Sequence, residues 1–212
     1  APLASVLGDL ATNLTAVAAC GAVAYFDLQK EQARERAALE GALVARVRVL
    51  PQGDDERDQG TLKLSDLRAG RSENSRRPVL CLGDADYCLS CLSSSRSLAE
   101  AMESSDFLVV PVVTGEYGLG KSQELDEAAR GVPYVALPTP GLDKKEQQDW
   151  ADFIEMQQIL AKEQGLDDSK GLVIIVKKNG RIGLRALGCP DWEAMTGDVA
   201  ARAEAGMDTQ NI

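Results

Sequence analysis

From about residue 60 onward, short apolar runs alternate with stretches of helical period. Val79–Leu82, Phe107–Val113, Tyr134–Leu137 and Leu172–Val176 are continuous apolar runs, the pattern of strands buried on both faces. A further run, Ile182–Leu187, follows "KKNGR", whose Asn179-Gly180 pair is a strong hairpin signal. Between these runs the apolar spacing predicts helices near 89–103, 122–130, 145–164 and 191–204. Strand–helix–strand first, then an antiparallel hairpin and a last helix, predicts an α/β fold with a mixed sheet and flanking helices. "PQGDDERDQG", residues 51–60, has the polar, turn-forming composition of a linker or hairpin tip.

The amino end follows a different pattern. Residues Leu3 to Phe26, "LASVLGDLATNLTAVAACGAVAYF", carry one charge, Asp9, and close on an aromatic pair. As a helix this stretch would reach roughly 36 Å, enough to cross a bilayer core. Asp9 and Asn13 share a face, continued by Ala16 and Cys20, and Ala4, Gly8 and Thr12 form a ridge of small residues. Lipid would not accept that polar face, so Gly8, Asp9, Thr12 and Asn13 are expected to face a protein partner. The competing reading is an Ala-rich helix buried or lying at an interface. Lys30, Arg34, Arg36, Arg46 and Arg48 follow the stretch and nothing basic precedes it. The positive-inside rule then places the remainder on the cytoplasmic or stromal side. The expected organisation is a transmembrane helix over 1–28, a charged stalk and linker over 29–60, and a soluble domain over 61–212. The chain opens on Ala1, which suggests a processed upstream segment.

Composition narrows the chemistry. The formal charge of −10 makes a nucleic acid held through its phosphates an unfavourable partner. Histidine is absent, which removes imidazole catalysis and the usual zinc ligands. Five cysteines in 212 residues are too few for a disulfide scaffold. "GEYGLGKS", Gly115 to Ser122, has the letters of a phosphate-binding loop. Its context argues against a nucleotide. Too little chain follows for a parallel nucleotide-binding sheet, no strand ends in an Asp to serve magnesium, and Glu124, Asp126 and Glu127 would repel phosphate. The stretch is expected to be a glycine-rich turn with Ser122 capping a short acidic helix.

The strongest chemical candidate is the dithiol Cys88-Leu89-Ser90-Cys91. A cysteine at a helix amino terminus has its thiolate stabilised by free backbone N–H groups, and two cysteines three apart can close a disulfide. "LKLSDLRAG", then "RRPVLCLGDADYCLSC" and the later "LVIIVKKNGRIGLRALG", resemble the opening and closing segments of membrane-tethered thioredoxin-like proteins. The resemblance implies a thioredoxin fold. This chain departs from the redox members of that fold. Asp84 and Asp86 stand beside the dithiol, Tyr87 replaces the usual Trp, and Gly171-Leu172 lies where a substrate-holding cis-proline belongs. Of the other cysteines, Cys20 is expected within the span, Cys81 on a core strand, and Cys189 at a turn before Pro190. No metal site is expected.

A more specific resemblance runs through most of residues 3–200. "LSDLR", "RRPVLCLGD", "FLVVPVV" and "DWADFIEMQQILAKEQGL", with Trp150 and the Gly188-x-Pro190-x-Trp192 signature, are similar to the carboxy-terminal part of the chloroplast low-photosystem-II-accumulation 1 proteins. Core packing is the reading preferred for both tryptophans. The resemblance implies a single-pass thylakoid protein with its domain in the stroma, partnered by photosystem core subunits or other thylakoid membrane proteins. In such a complex the helix would contact chlorophyll or carotenoid, with Asp9 or Asn13 offering an oxygen to magnesium. No cofactor is required by that role. The leading expectation is therefore a non-enzymatic photosystem accessory subunit or assembly factor. The alternative is a membrane-tethered thiol–disulfide oxidoreductase using Cys88 and Cys91.

Overall fold

The computed structural model describes residues 3–52, 60–68, 76–116, 118–138, 143–177 and 182–209, with side chains of the first helix described at Val17 and from Ala19 onward. The chain divides into two units, Ala1–Leu39 and Glu40–Ile212.

The first unit is helical, part of α1 (Leu3–Arg46). Its described apolar side chains, among them Val23, Tyr25 and Phe26, are exposed. Among the described residues no helix is long and apolar enough to cross a membrane. The expected span is thus not supported. Most of the side chains of Leu3–Phe26 lie outside the described residues, and the described part from Ala19 onward runs into the charged stretch that begins at Asp27. Cys20, expected inside the span, is exposed. The side chains of Gly8, Asp9, Thr12 and Asn13 lie outside the described residues.

The second unit begins earlier than the composition suggested. Leu43, Val44 and Val47 are buried, and β1 (Arg48–Pro51) contributes Val49 to the same core. The charged residues of "ARERAALEGALVARVRV" conceal this start, since only every third or fourth position turns inward. β1 pairs antiparallel with β2 (Leu62–Lys63), so the polar stretch between them joins a hairpin; its residues 53–59 lie outside the described set. The other edge of β1 pairs antiparallel with β6 (Ala136–Pro138).

β3 (Arg77–Gly83), β4 (Phe107–Gly115), β5 (Gly118–Leu119), β7 (Leu172–Val176) and β8 (Ile182–Leu187) form the main sheet, in the order β5-β4-β3-β7-β8. β3 runs parallel to β4, and β7 and β8 continue antiparallel. Successive side chains of a strand point to opposite faces. Leu80, Leu82, Leu108, Val110, Leu172 and Ile174 accordingly join one core, while Val79, Cys81, Phe107, Val109 and Val173 join the other. This double burial is why the central strands read as unbroken apolar runs. The first face is covered by α6 (Lys144–Glu163), which presents Trp150, Phe153, Ile154 and Ala161 at helical spacing. α6 opens with a capping box between Asp143 and Glu146. The second face carries α3 (Ala85–Ser95), a 3-10 turn, α4 (Ala99–Ser104), α5 (Gln123–Ala129) and α7 (Trp192–Glu204). α2 (Leu64–Arg68) precedes β3. A β-α-β unit with a closing antiparallel hairpin and a final helix is a thioredoxin-like fold.

The phosphate-loop letters form something else. β5 (Gly118–Leu119) folds back on β4, pairing Thr114 with Leu119 and Gly115 with Gly118. The Gly120 amide donates to Val113 O at 2.7 Å, so it is committed to the hairpin. Gly118 has φ +110°, and a Cβ there would stand 2.9 Å from that of Ala151. Ser122 caps α5, accepting from the Leu125 amide.

Candidate thiol site

β3 ends at Gly83, and Asp84 starts α3 by accepting the Tyr87 amide at 2.8 Å. This cap holds Tyr87, Cys88 and Cys91 in the first two turns, over the carboxy end of β3. Cys88 and Cys91 are both 0 % exposed, as is Cys81 on the strand beneath them. Cys88 turns into the core, its thiol donating to Cys81 O at 3.4 Å. Burial pushes its pKa up to about 12, and the charge of Asp84 adds to the rise.

Cys91 faces differently. Its Sγ lies 3.0 Å from Sγ of Cys189, an exposed residue 98 positions along the chain. Hydrogen bonds from Cys81 and Cys189 favour the Cys91 thiolate, outweigh the cost of its burial, and draw its pKa down to about 7. The donors shift the other way. Cys189 rises to about 11 through burial and its bond to Cys91. Cys81, which hydrogen-bonds Cys91 and is completely buried, rises well above the ordinary thiol value. The four cysteines thus divide one acidic thiol from three that keep their protons.

Two departures from the redox pattern prove to be one packing arrangement. A Cβ added at Gly83 would stand 2.4 Å from Cδ1 of Tyr87, and one at Gly171 would stand 2.3 Å from its Cε2. The ring therefore occupies a slot between the end of β3 and the residue before β7. Gly171 has φ +80°, which proline, fixed near −65°, cannot adopt. Tyr for Trp at 87 and Gly for Pro at 171 go together. Tyr87 is held there by donating its hydroxyl to Gly188 O at 3.0 Å. A cleft of about 280 Å³ opens beside it, lined by Asp84, Tyr87, Thr114, Gln158, Ser169 and Gly171.

Cys189 is the residue that the sequence did not single out. It lies within the Gly188-x-Pro190-x-Trp192 signature, the one cue that pointed to it. Trp192 is buried, and its Nε1 donates to Cys91 O at 3.0 Å and to Ser94 Oγ at 3.1 Å. Trp150, by contrast, sits in the core on the far face of the sheet, donating to Arg48 O at 3.3 Å and meeting Phe153 edge-on. Among the described residues no group of three or more acidic, Cys or His side chains is placed to hold a metal ion.

No family model and no curated protein matches this chain. Among solved structures it is similar to the thioredoxin domain of a thiol–disulfide oxidoreductase from Bacteroides vulgatus, at 11 % identity over 72 % of this chain and 91 % of that one, with a TM-score of 0.45. The mitochondrial 2-Cys peroxiredoxin of Plasmodium falciparum is similar at 10 % identity, over 76 % of this chain and 93 % of that one, with a TM-score of 0.44. A putative thiol:disulfide interchange protein from Chlorobium tepidum reaches 18 % identity over 77 % and 95 %, with a TM-score of 0.39.

The expected role as a non-enzymatic photosystem accessory protein finds no support. The three solved structures named above are a thiol–disulfide oxidoreductase domain, a thiol:disulfide interchange protein and a peroxiredoxin, and nothing in them points to a photosystem role.

Proposed function

We propose that this protein carries out thiol–disulfide exchange, with Cys91 as its reactive thiol. The observation that supports this is the 3.0 Å approach of a second sulfur to Cys91, whose pKa lies at about 7. Near neutral pH about half of such a thiol is ionised, against a few per cent of an ordinary cysteine. The thiolate is the nucleophile in disulfide exchange, and a thiol with a pKa close to ambient pH combines ionisation with nucleophilicity. Asp84 opposes ionisation of Cys88, whereas the leading influence on Cys91 is its hydrogen bond with Cys81. The fold supplies the helix start and the rigid strand beneath it.

The test is reduction of a soluble disulfide-bonded protein, insulin, by dithiothreitol with this protein as catalyst. The expected outcome is acceleration by the wild-type chain that falls to the uncatalysed rate in Cys91→Ser. Equal rates with and without the wild-type chain would remove the proposal.

A further inference from the structure

The sequence offers Cys88 and Cys91 as the obvious pair, but the structure separates their surroundings. Cys88 is closed off from solvent, bonded to the strand beneath it, and packed with Val79, Leu92 and Val173 in the core. Cys91 is equally buried, yet it has a neighbour that reaches solvent. Cys189 is exposed, lies 3.0 Å from Cys91, and also stands 3.6 Å from the hydroxyl of Ser90. A disulfide bond measures roughly 2.0 Å, so closure asks for a movement of about 1 Å.

That neighbourhood is built rather than incidental. The turn carrying Cys189 is tied down on three sides. The Gly188 amide donates to Gly171 O at 3.1 Å, and Tyr87 donates to Gly188 O at 3.0 Å. On the far side, Trp192 bonds the backbone of Cys91 itself. Gly188 has φ +77°, a conformation that a side chain would oppose, and Asp191 caps α7 by accepting from Ala194 N at 2.9 Å. Gly188 on one side and Trp192 on the other thus set the cysteine between them against α3.

We propose that the working disulfide of this protein joins Cys91 to Cys189, that Cys189 is the sulfur which meets an external disulfide, and that Cys88 remains a reduced core thiol. The proposal rests on the thiol-exchange reading above and specifies its pair and its order. In the reduced state the two thiols share one proton above the first ionisation of the pair. Cys189 passes its proton to Cys91 and attacks one sulfur of an external disulfide R–S–S–R. The external S–S bond breaks, a Cys189–S–S–R bond forms, and one R–S⁻ leaves, taking the proton back from Cys91. The Cys91 thiolate then attacks Sγ of Cys189, and the second R–S⁻ departs with a proton from solvent. Two electrons have moved from the Cys91–Cys189 pair to the external disulfide, giving two R–SH. The reverse sequence oxidises an external dithiol.

The full chain is treated with a small excess of 2-hydroxyethyl disulfide, alkylated under denaturing conditions, digested, and mapped by mass spectrometry. The expected product links the Cys91 and Cys189 peptides and leaves Cys88 alkylated. Cys189→Ser should slow exchange at least tenfold, and Cys88→Ala should leave it within about twofold. Cys91→Ser, which removes both the proton acceptor and the resolving thiol, should form the hydroxyethylthiol adduct on Cys189 more slowly and then retain it, a readout that keeps Cys88 intact and does not depend on how Cys88→Ala folds. A Cys88–Cys91 linkage, or an adduct trapped on Cys88, would overturn the pairing and leave the thiol-exchange function standing. Absence of any linkage or adduct at Cys81, Cys88, Cys91 and Cys189, apart from labelling of the exposed Cys20, would overturn both.

Discussion

Cys91 ionises readily because its sulfur is where two neighbouring thiols direct their protons, and those bonds outweigh a burial that would otherwise raise its pKa. The consequence is a pH profile. A thiol whose pKa is depressed in the folded state is a better nucleophile as pH rises through that value. Exchange with a neutral disulfide should therefore climb up to tenfold per pH unit below about 7 and level off above it. The sign for stability is the same. A lowered pKa contributes stability present above the unfolded thiol value, roughly 8.5, and lost as pH falls through about 7. Urea unfolding of the reduced chain should show wild type gaining on Cys91→Ser between those limits. A profile centred near 8.5 would mean that the bonds from Cys81 and Cys189 do not act on Cys91.

The elements around the site differ in how far the sequence discloses them. β3, β4 and β7 were legible because burial on both faces leaves continuous apolar runs, and α6 because its buried positions recur at helical spacing. The dithiol at the start of α3 was legible from its spacing alone. The contact between Cys91 and Cys189 was not, since it joins the start of α3 to the turn before α7 and no local rule couples those segments. The expected membrane helix has no support among the described residues, which leave out most side chains of Leu3–Phe26. Trp192 tests whether the turn before α7 is a positioning element. Trp192→Phe keeps the aromatic packing and removes both bonds from Nε1. A less firmly held Cys189 meets Cys91 less often, so the disulfide should be weaker and the reduction potential less negative, by about 30 mV for each tenfold loss. A potential equal to wild type together with a lowered melting temperature would assign Trp192 to packing alone.

At the scale of the whole second unit, the sheet divides labour between its faces. One face carries the thiols, and the other is a core closed by α6 and by the segment from Glu40 to Pro51. That segment supplies Leu43, Val44, Val47 and Val49, and Glu40 pairs with Arg185 at 2.9 Å. Four such side chains at about 1.5–3 kcal/mol each are comparable with the entire stability of an ordinary domain. A chain beginning at Glu40 should fold and retain exchange, whereas one beginning at Thr61 should fail to give a cooperative thermal transition. A stable fragment starting at Thr61 would show that the segment is dispensable. The central claim, that the cysteine cluster is a working redox site, is tested most directly by equilibrium titration of the native protein in dithiothreitol buffers of graded ratio. With the exposed Cys20 replaced by serine, four thiols remain of the five in the chain. The account predicts that two of these disappear together in one reversible two-electron step; a constant count of four across the titration would contradict it.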